Sequence, residues 1–204
     1  MRFQQDDTSA SELLRSLCLL HKRLEHAEVP WILGGSCALW LQGVTLSSLP
    51  RDIDVYTDDQ HVPLLHELLF NLATDEPTLD ESGIYSSRLS HYRLGEYAVE
   101  LVGGFRIRAG SSSYLTEVEE VLAPAARQIK LDLAEGELPL MPLSHELVFN
   151  ILRSRPDRYQ AVAEAMAREP KQHAATLRTL IRSNSWSEAH LRQLKELFPW
   201  AMEG

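Results

Sequence analysis

Cysteine is scarce in this 204-residue chain. Cys18 and Cys37 have neither the spacing of a zinc site nor that of a redox pair, and both fall in apolar, helix-like segments where they read as small buried side chains. No apolar run approaches the roughly 18 residues that a membrane span requires. The N-terminus, Met1-Arg-Phe-Gln-Gln-Asp-Asp7, lacks the apolar core of a signal peptide, so the expected location is cytoplasmic. Basic residues are in deficit, 20 against 29 acidic, for a net charge of −9. A surface of that sign repels phosphate backbones and argues against nonspecific nucleic-acid binding, while leaving room for a local basic pocket. There is no internal repeat and no low-complexity tract. What is present, 44% hydrophobic and 24% charged residues, is the composition of an ordinary globular protein long enough to bury a core unaided.

Leu13, Leu17, Leu20 and Leu24 recur at helical spacing, which predicts a helix over 12–27, stopped by Pro30. Trp31-Ile-Leu33 is short and apolar enough for a buried strand. After Gly34-Gly35 a helix is expected over 36–42 with Gly43 as its C-cap, then a polar loop over 44–50. A second strand is expected over 52–56, followed by a helix carrying Leu64, Leu65, Leu68, Leu69 and Leu72. The acidic stretch 74–83, with Pro77 and Gly83, reads as a surface loop. Between 84 and 108, short alternating runs broken at Gly95-Glu96 and Gly103-Gly104 read as hairpins. A further strand is expected over 128–133. From Ser144, read as a capping serine, the chain turns helical, and Pro156, Pro170 and Asn184-Ser185 divide off three more helices, the last from Ser187 to near Pro199. This pattern predicts an α/β (α+β) domain over 1–143 and a helical C-terminal domain over 144–204.

The chemistry concentrates at Arg51-Asp52-Ile53-Asp54-Val55. Side chains alternate across a strand, so Asp52 and Asp54 share one face while Ile53 and Val55 share the other. Two carboxylates so placed repel each other unless a cation or a proton lies between them. On the residues alone they form either a metal site or an exposed acidic strand end.

The order Gly34-Gly35-Ser36, helix, loop, Asp52-Ile53-Asp54 resembles the signature of the nucleotidyltransferase superfamily, whose archetype is DNA polymerase β. It is most similar to the small bacterial branch that includes AbiEii-like toxins and aminoglycoside nucleotidyltransferases. The resemblance covers residues 30–105 well. It implies a mixed sheet flanked by helices and a magnesium-dependent transfer of a nucleoside monophosphate from a nucleoside triphosphate, ATP by expectation, to an acceptor hydroxyl that the sequence does not identify. It also implies a third carboxylate from a later strand, a slot that Val99-Glu100-Leu101 fits. Asp52, Asp54 and Glu100 would then be the catalytic and metal-holding set. Gly34 and Gly35 would let backbone amides approach the triphosphate, and the Ser36 hydroxyl would donate to a β- or γ-phosphate. Arg51 reads equally as a phosphate contact or as a counter-ion of the aspartates. The helical tail holds only a partial echo, Arg155-Pro-Asp157-Arg158, of an element that in relatives secures the domain contact. The third carboxylate is a glutamate where the superfamily more often has aspartate, and the arginine or threonine that relatives often carry upstream of the aspartate pair is missing, with Ser48, Leu49, Pro50 and Arg51 there instead. These departures keep open a second reading, a catalytically silent protein that uses the cleft to bind a ligand or partner. A small protein partner, as in a toxin–antitoxin pair, fits the resemblance too.

Other groups read more plainly. Arg88, His91, Arg93, Arg106 and Arg108 are expected to place charge on one solvated sheet face. His145 and His173 read as surface residues, His21 and His26 lack metal-spaced partners, and Trp186, Phe198 and Trp200 read as packing groups.

Overall fold

The leucine spacing near the N-terminus dictates which side of the first helix is covered. A computed structural model of the chain describes residues 2–131 and 136–199, and in it α1 (Arg2–Leu24) buries Leu13, Leu17, Leu20 and Leu24. The helix starts earlier than the apolar stripe indicates, because residues 2–11 contain neither proline nor glycine to stop it. The buried strand β1 (Ile32–Gly34) runs directly into α2 (Gly35–Leu41). Gln42 closes that helix, and Gly43 follows in the left-handed region at φ +73°.

β2 (Asp52–Thr57) leads through a short 3-10 turn to α3 (Val62–Leu69). The later strands are β3 (Thr78–Ser82), β4 (Tyr85–Leu94), β5 (Tyr97–Ala109), β6 (Ser112–Leu115), β7 (Arg127–Lys130) and β8 (Glu137–Leu140). They complete one mixed sheet in the order β3-β4-β5-β2-β1-β8-β7, with β6 paired to β5. β2 lies antiparallel to β1 and parallel to β5. α3 covers one face, where its His66 Nδ1 lies 2.8 Å from the Tyr92 hydroxyl.

Three local expectations are corrected. Residues 78–82, inside the expected loop 74–83, form the edge strand β3; its side chains are largely exposed, so no apolar alternation marks it. Gly83, at φ +59°, serves the tight turn that pairs Ser82 with Tyr85. Gly103-Gly104 is not a turn but the middle of the continuous strand β5. Arg88 pairs with Gly103 and Ser86 with Arg106, so one residue of β4 faces two of β5 in a β-bulge, with Gly104 at φ +57°. A side chain at Gly103 would strike Val62 of α3. The third correction is at Ser144, which is no cap: Pro142 precedes the helix, and the buried Ser144 hydroxyl donates to the His173 carbonyl at 3.1 Å.

The remaining helices are α4 (Leu143–Leu152), α5 (Pro156–Met166), α6 (Pro170–Ser183) and α7 (Glu188–Leu197). Ser187 does cap α7, its side chain accepting from the His190 amide. All ten residues of α4 are buried, so this helix threads the core. The expected strand over 128–133 is β7, and residues 132 and 133 fall outside the described residues, as does Trp200. Among the described residues no helix is long and apolar enough to cross a membrane.

Candidate functional site

Alternation along β2 sorts its side chains as the sequence predicts. Ile53 and Val55 are fully buried on the α3 side, while Asp52, Asp54 and Tyr56 line a cavity of about 400 Å³ on the opposite face. Gly34, Asp54 and Glu100 stand abreast on β1, β2 and β5. With strands about 4.8 Å apart, this brings Glu100 beside Asp54. The bulge in β5 turns Val102 and Phe105, three positions apart, toward the same cavity.

The glycine pair is fitted to this face by sterics. Gly35 has φ +58°, and a Cβ there would overlap the Asp54 carboxylate. A Cβ at Gly34 would lie 2.5 Å from the Tyr56 ring, and Gly34 itself does not line the cavity. The Gly35 amide donates to Glu146 Oε1 of α4 at 2.9 Å. The Ser36 hydroxyl donates to Asp52 Oδ1 at 3.4 Å, and the Cys37 thiol to the Asp52 carbonyl at 3.2 Å.

Four carboxylates therefore converge. Burial, then the charges of Asp52, Glu100 and Glu146, pushes the Asp54 carboxyl up to about 8. Burial pushes Glu146 up to about 7, opposed by the Gly35 amide and by Arg153 and Arg158. Glu100 is raised by burial and by Asp52, against the lowering effect of His91 across the strand pair. Burial also pushes the Cys37 thiol far up, so it is an inert packing group; Cys18 is half-buried.

Glu146 is the residue that sequence reasoning missed. The available signal is an acid at the start of an otherwise apolar helical run, Leu147 through Phe149, where a charge has no place unless it faces a site. Asn150, Arg153, Arg155 and Arg158 also line the cavity. Arg51 is exposed, lies outside the cavity, and forms no ion pair among the described residues. The basic residues of the hairpins do not share a face. Arg88 pairs with Asp59 at 2.8 Å and shares a second groove with Arg106, whereas His91 sits opposite Glu100 and bonds Asp75 at 2.6 Å. His145 is no surface residue: it is buried against Tyr114, 2.6 Å from its hydroxyl, and burial lowers it to about 3. Asp58, His61 and Glu119 form a separate cluster, but both Asp58 oxygens already accept the Val118 and Glu119 amides.

No family model matches the sequence, and no curated protein matches it. Solved structures do match in fold. A Thermotoga maritima protein provisionally assigned as a nucleotidyltransferase aligns over 78% of this chain and 95% of its own, with a TM-score of 0.59 and 18% identity. The antibiotic-resistance factor ANT(2'')-Ia aligns over 91% of this chain and 98% of its own, at a TM-score of 0.49 and 10% identity. A lincosamide antibiotic adenylyltransferase, LnuA, aligns over 72% of this chain and 94% of its own, at 0.44 and 12%.

Proposed function

We propose that this chain, which has the nucleotidyltransferase fold, moves a nucleoside monophosphate from a nucleoside triphosphate to an acceptor hydroxyl. The observation that carries the reading is the set Asp52, Asp54 and Glu100 on adjacent parallel strands of one cavity wall. Hard carboxylate oxygens on rigid strands suit magnesium, and the repulsion that adds to burial in lifting Asp54 is what a divalent cation would relieve. Asp52 and Asp54 would hold the metal, with Glu100 completing the set. Magnesium, when bound, supplies charge neutralisation on the reacting phosphate and on the departing oxygen.

The protein's own groups do the rest. Glu100, half-buried and raised, would take the proton of the acceptor hydroxyl. The hydroxyl oxygen bonds to the α-phosphorus as the bond to the β-phosphate oxygen breaks, and pyrophosphate leaves. The Ser36 hydroxyl can turn from Asp52 to a donor phosphate. The Gly35 amide is committed to Glu146, so its part is to hold the strand-to-helix turn against Asp54 rather than to contact phosphate. ATP is the expected donor.

The reading is tested by incubating the protein with α-labelled ATP, Mg2+ and a small-molecule extract. Label transfer that Asp54→Asn reduces at least a hundredfold supports it. Transfer unchanged by that substitution contradicts it, and nucleotide binding without transfer would return the chain to the silent-binding reading.

A further inference from the structure

The cavity also carries opposite charge. Arg153, Arg155 and Arg158, at the junction of α4 and α5, line it together with Tyr85 of β4 and Asp80 and Ser82 of β3. Arg153 is half-buried. Its Nε donates to the Tyr85 hydroxyl at 3.2 Å, and its guanidinium carbon lies 4.5 Å from the Phe149 ring centroid. Those two contacts fix the plane of the group, yet no carboxylate lies within ion-pair distance of it among the described residues. Arg155 is held by both oxygens of Asp157, at 3.0 and 2.8 Å, and Arg158 reaches the same carboxylate only at 3.9 Å. Ser154, between the first two arginines, has φ +54°, a conformation costly for a non-glycine residue. Two of the three guanidiniums thus share one exposed carboxylate, and the third reaches none at ion-pair distance among the described residues, in a protein of net charge −9. An oriented, half-buried guanidinium that acts on Asp54 and Glu146 only from beyond ion-pair distance, with its hydrogen-bonding fork not taken up by a carboxylate, is a ready partner for a planar or tetrahedral oxyanion.

We propose that Arg153 and Arg158, braced by the Arg155–Asp157 pair, form an anion subsite that takes a phosphate carried by the acceptor. This rests on the transferase reading above, in which the donor's phosphates lie with Asp52, Asp54 and Ser36. The acceptor is then a phosphorylated hydroxy compound small enough for a cavity of about 400 Å³. The net negative charge of the chain disfavours a polynucleotide.

The test uses the full chain with Mg2+ and the non-transferable donor α,β-methylene-ATP at saturation, titrated calorimetrically with inorganic phosphate. Phosphate is expected to bind the analogue-saturated protein, and Arg153→Gln to weaken that binding at least tenfold while changing analogue affinity less than threefold. The Arg153→Lys variant keeps the charge but loses the fork, and should recover only part of the phosphate affinity, which a merely structural role would not produce. If phosphate instead competes with the analogue, or Arg153→Gln weakens the analogue tenfold, the arginines serve the donor and the proposal is overturned. Phosphate binding unaffected by the substitution also overturns it. A 5′-phosphorylated oligonucleotide binding a hundredfold tighter than phosphate would replace the small acceptor by a nucleic-acid end and overturn it as well. Failure of the analogue to bind any variant would count against the transferase reading, while phosphate binding that depends on Arg153 would still be measurable alone.

Discussion

Asp54 sets the electrostatics of the cavity because it is buried beside three other acids. Its carboxyl, raised to about 8, holds in the folded protein a proton that the unfolded chain has released by pH 5. Its contribution to stability is therefore complete below its unfolded value of about 4 and is lost as pH rises through about 8. Glu146, raised to about 7, acts in the same direction. His145, lowered by burial, acts oppositely at acid pH, so the comparison belongs between variants rather than within one pH curve. Without divalent ions, the melting temperature of Asp54→Asn should rise relative to wild type between pH 5 and pH 8, by about 2–4 °C for each kcal/mol of repulsion relieved. Mg2+ should stabilise the wild type more at pH 8 than at pH 6 and the variant at neither, as thermal melts at each pH would reveal. Equal pH slopes for both proteins would sink this account of Asp54.

At the level of the element, the strand-to-helix turn of β1 and α2 is locked from two sides, by Glu146 on its amide and by Asp54 on its Cα. Gly35→Ala puts a side chain both into the left-handed region and onto the carboxylate, and should cost at least about 1–2 kcal/mol from the backbone alone, with metal affinity falling too. Glu146→Ala strands the Gly35 amide and should cost about 1–3 kcal/mol in a denaturant titration, whereas Glu146→Gln keeps an acceptor and should cost less. At the bulge, Gly103→Val would drive into Val62 and should destabilise without altering the sheet's order.

These same elements divide what the sequence made legible from what it did not. The β2 alternation and the Gly34-Gly35 turn could be read because strand parity and steric need act within a few residues. The edge strand β3 could not, since a strand with two wet faces shows no apolar pattern. The bulge glycines mimicked a turn because both uses require a left-handed residue. Glu146 lies 111 positions from the amide it holds, a proximity that only the packing of α4 creates.

For the molecule as a whole, one cavity gathers both signs of charge: the carboxylates of Asp52, Asp54, Asp80, Glu100 and Glu146 and the guanidiniums of Arg153, Arg155 and Arg158. On the transferase reading proposed above, nucleotide binding there would be conditional on a cation, since the carboxylates would repel a triphosphate until their charge is neutralised. The most direct measurement is a calorimetric titration of ATP into the full chain, with Mg2+ and with EDTA, for wild type and Asp52→Asn. Our account predicts saturable binding in Mg2+ that weakens at least tenfold in EDTA, and equally in the variant. Binding that is indifferent to both Mg2+ and Asp52, or none under any condition, would contradict it.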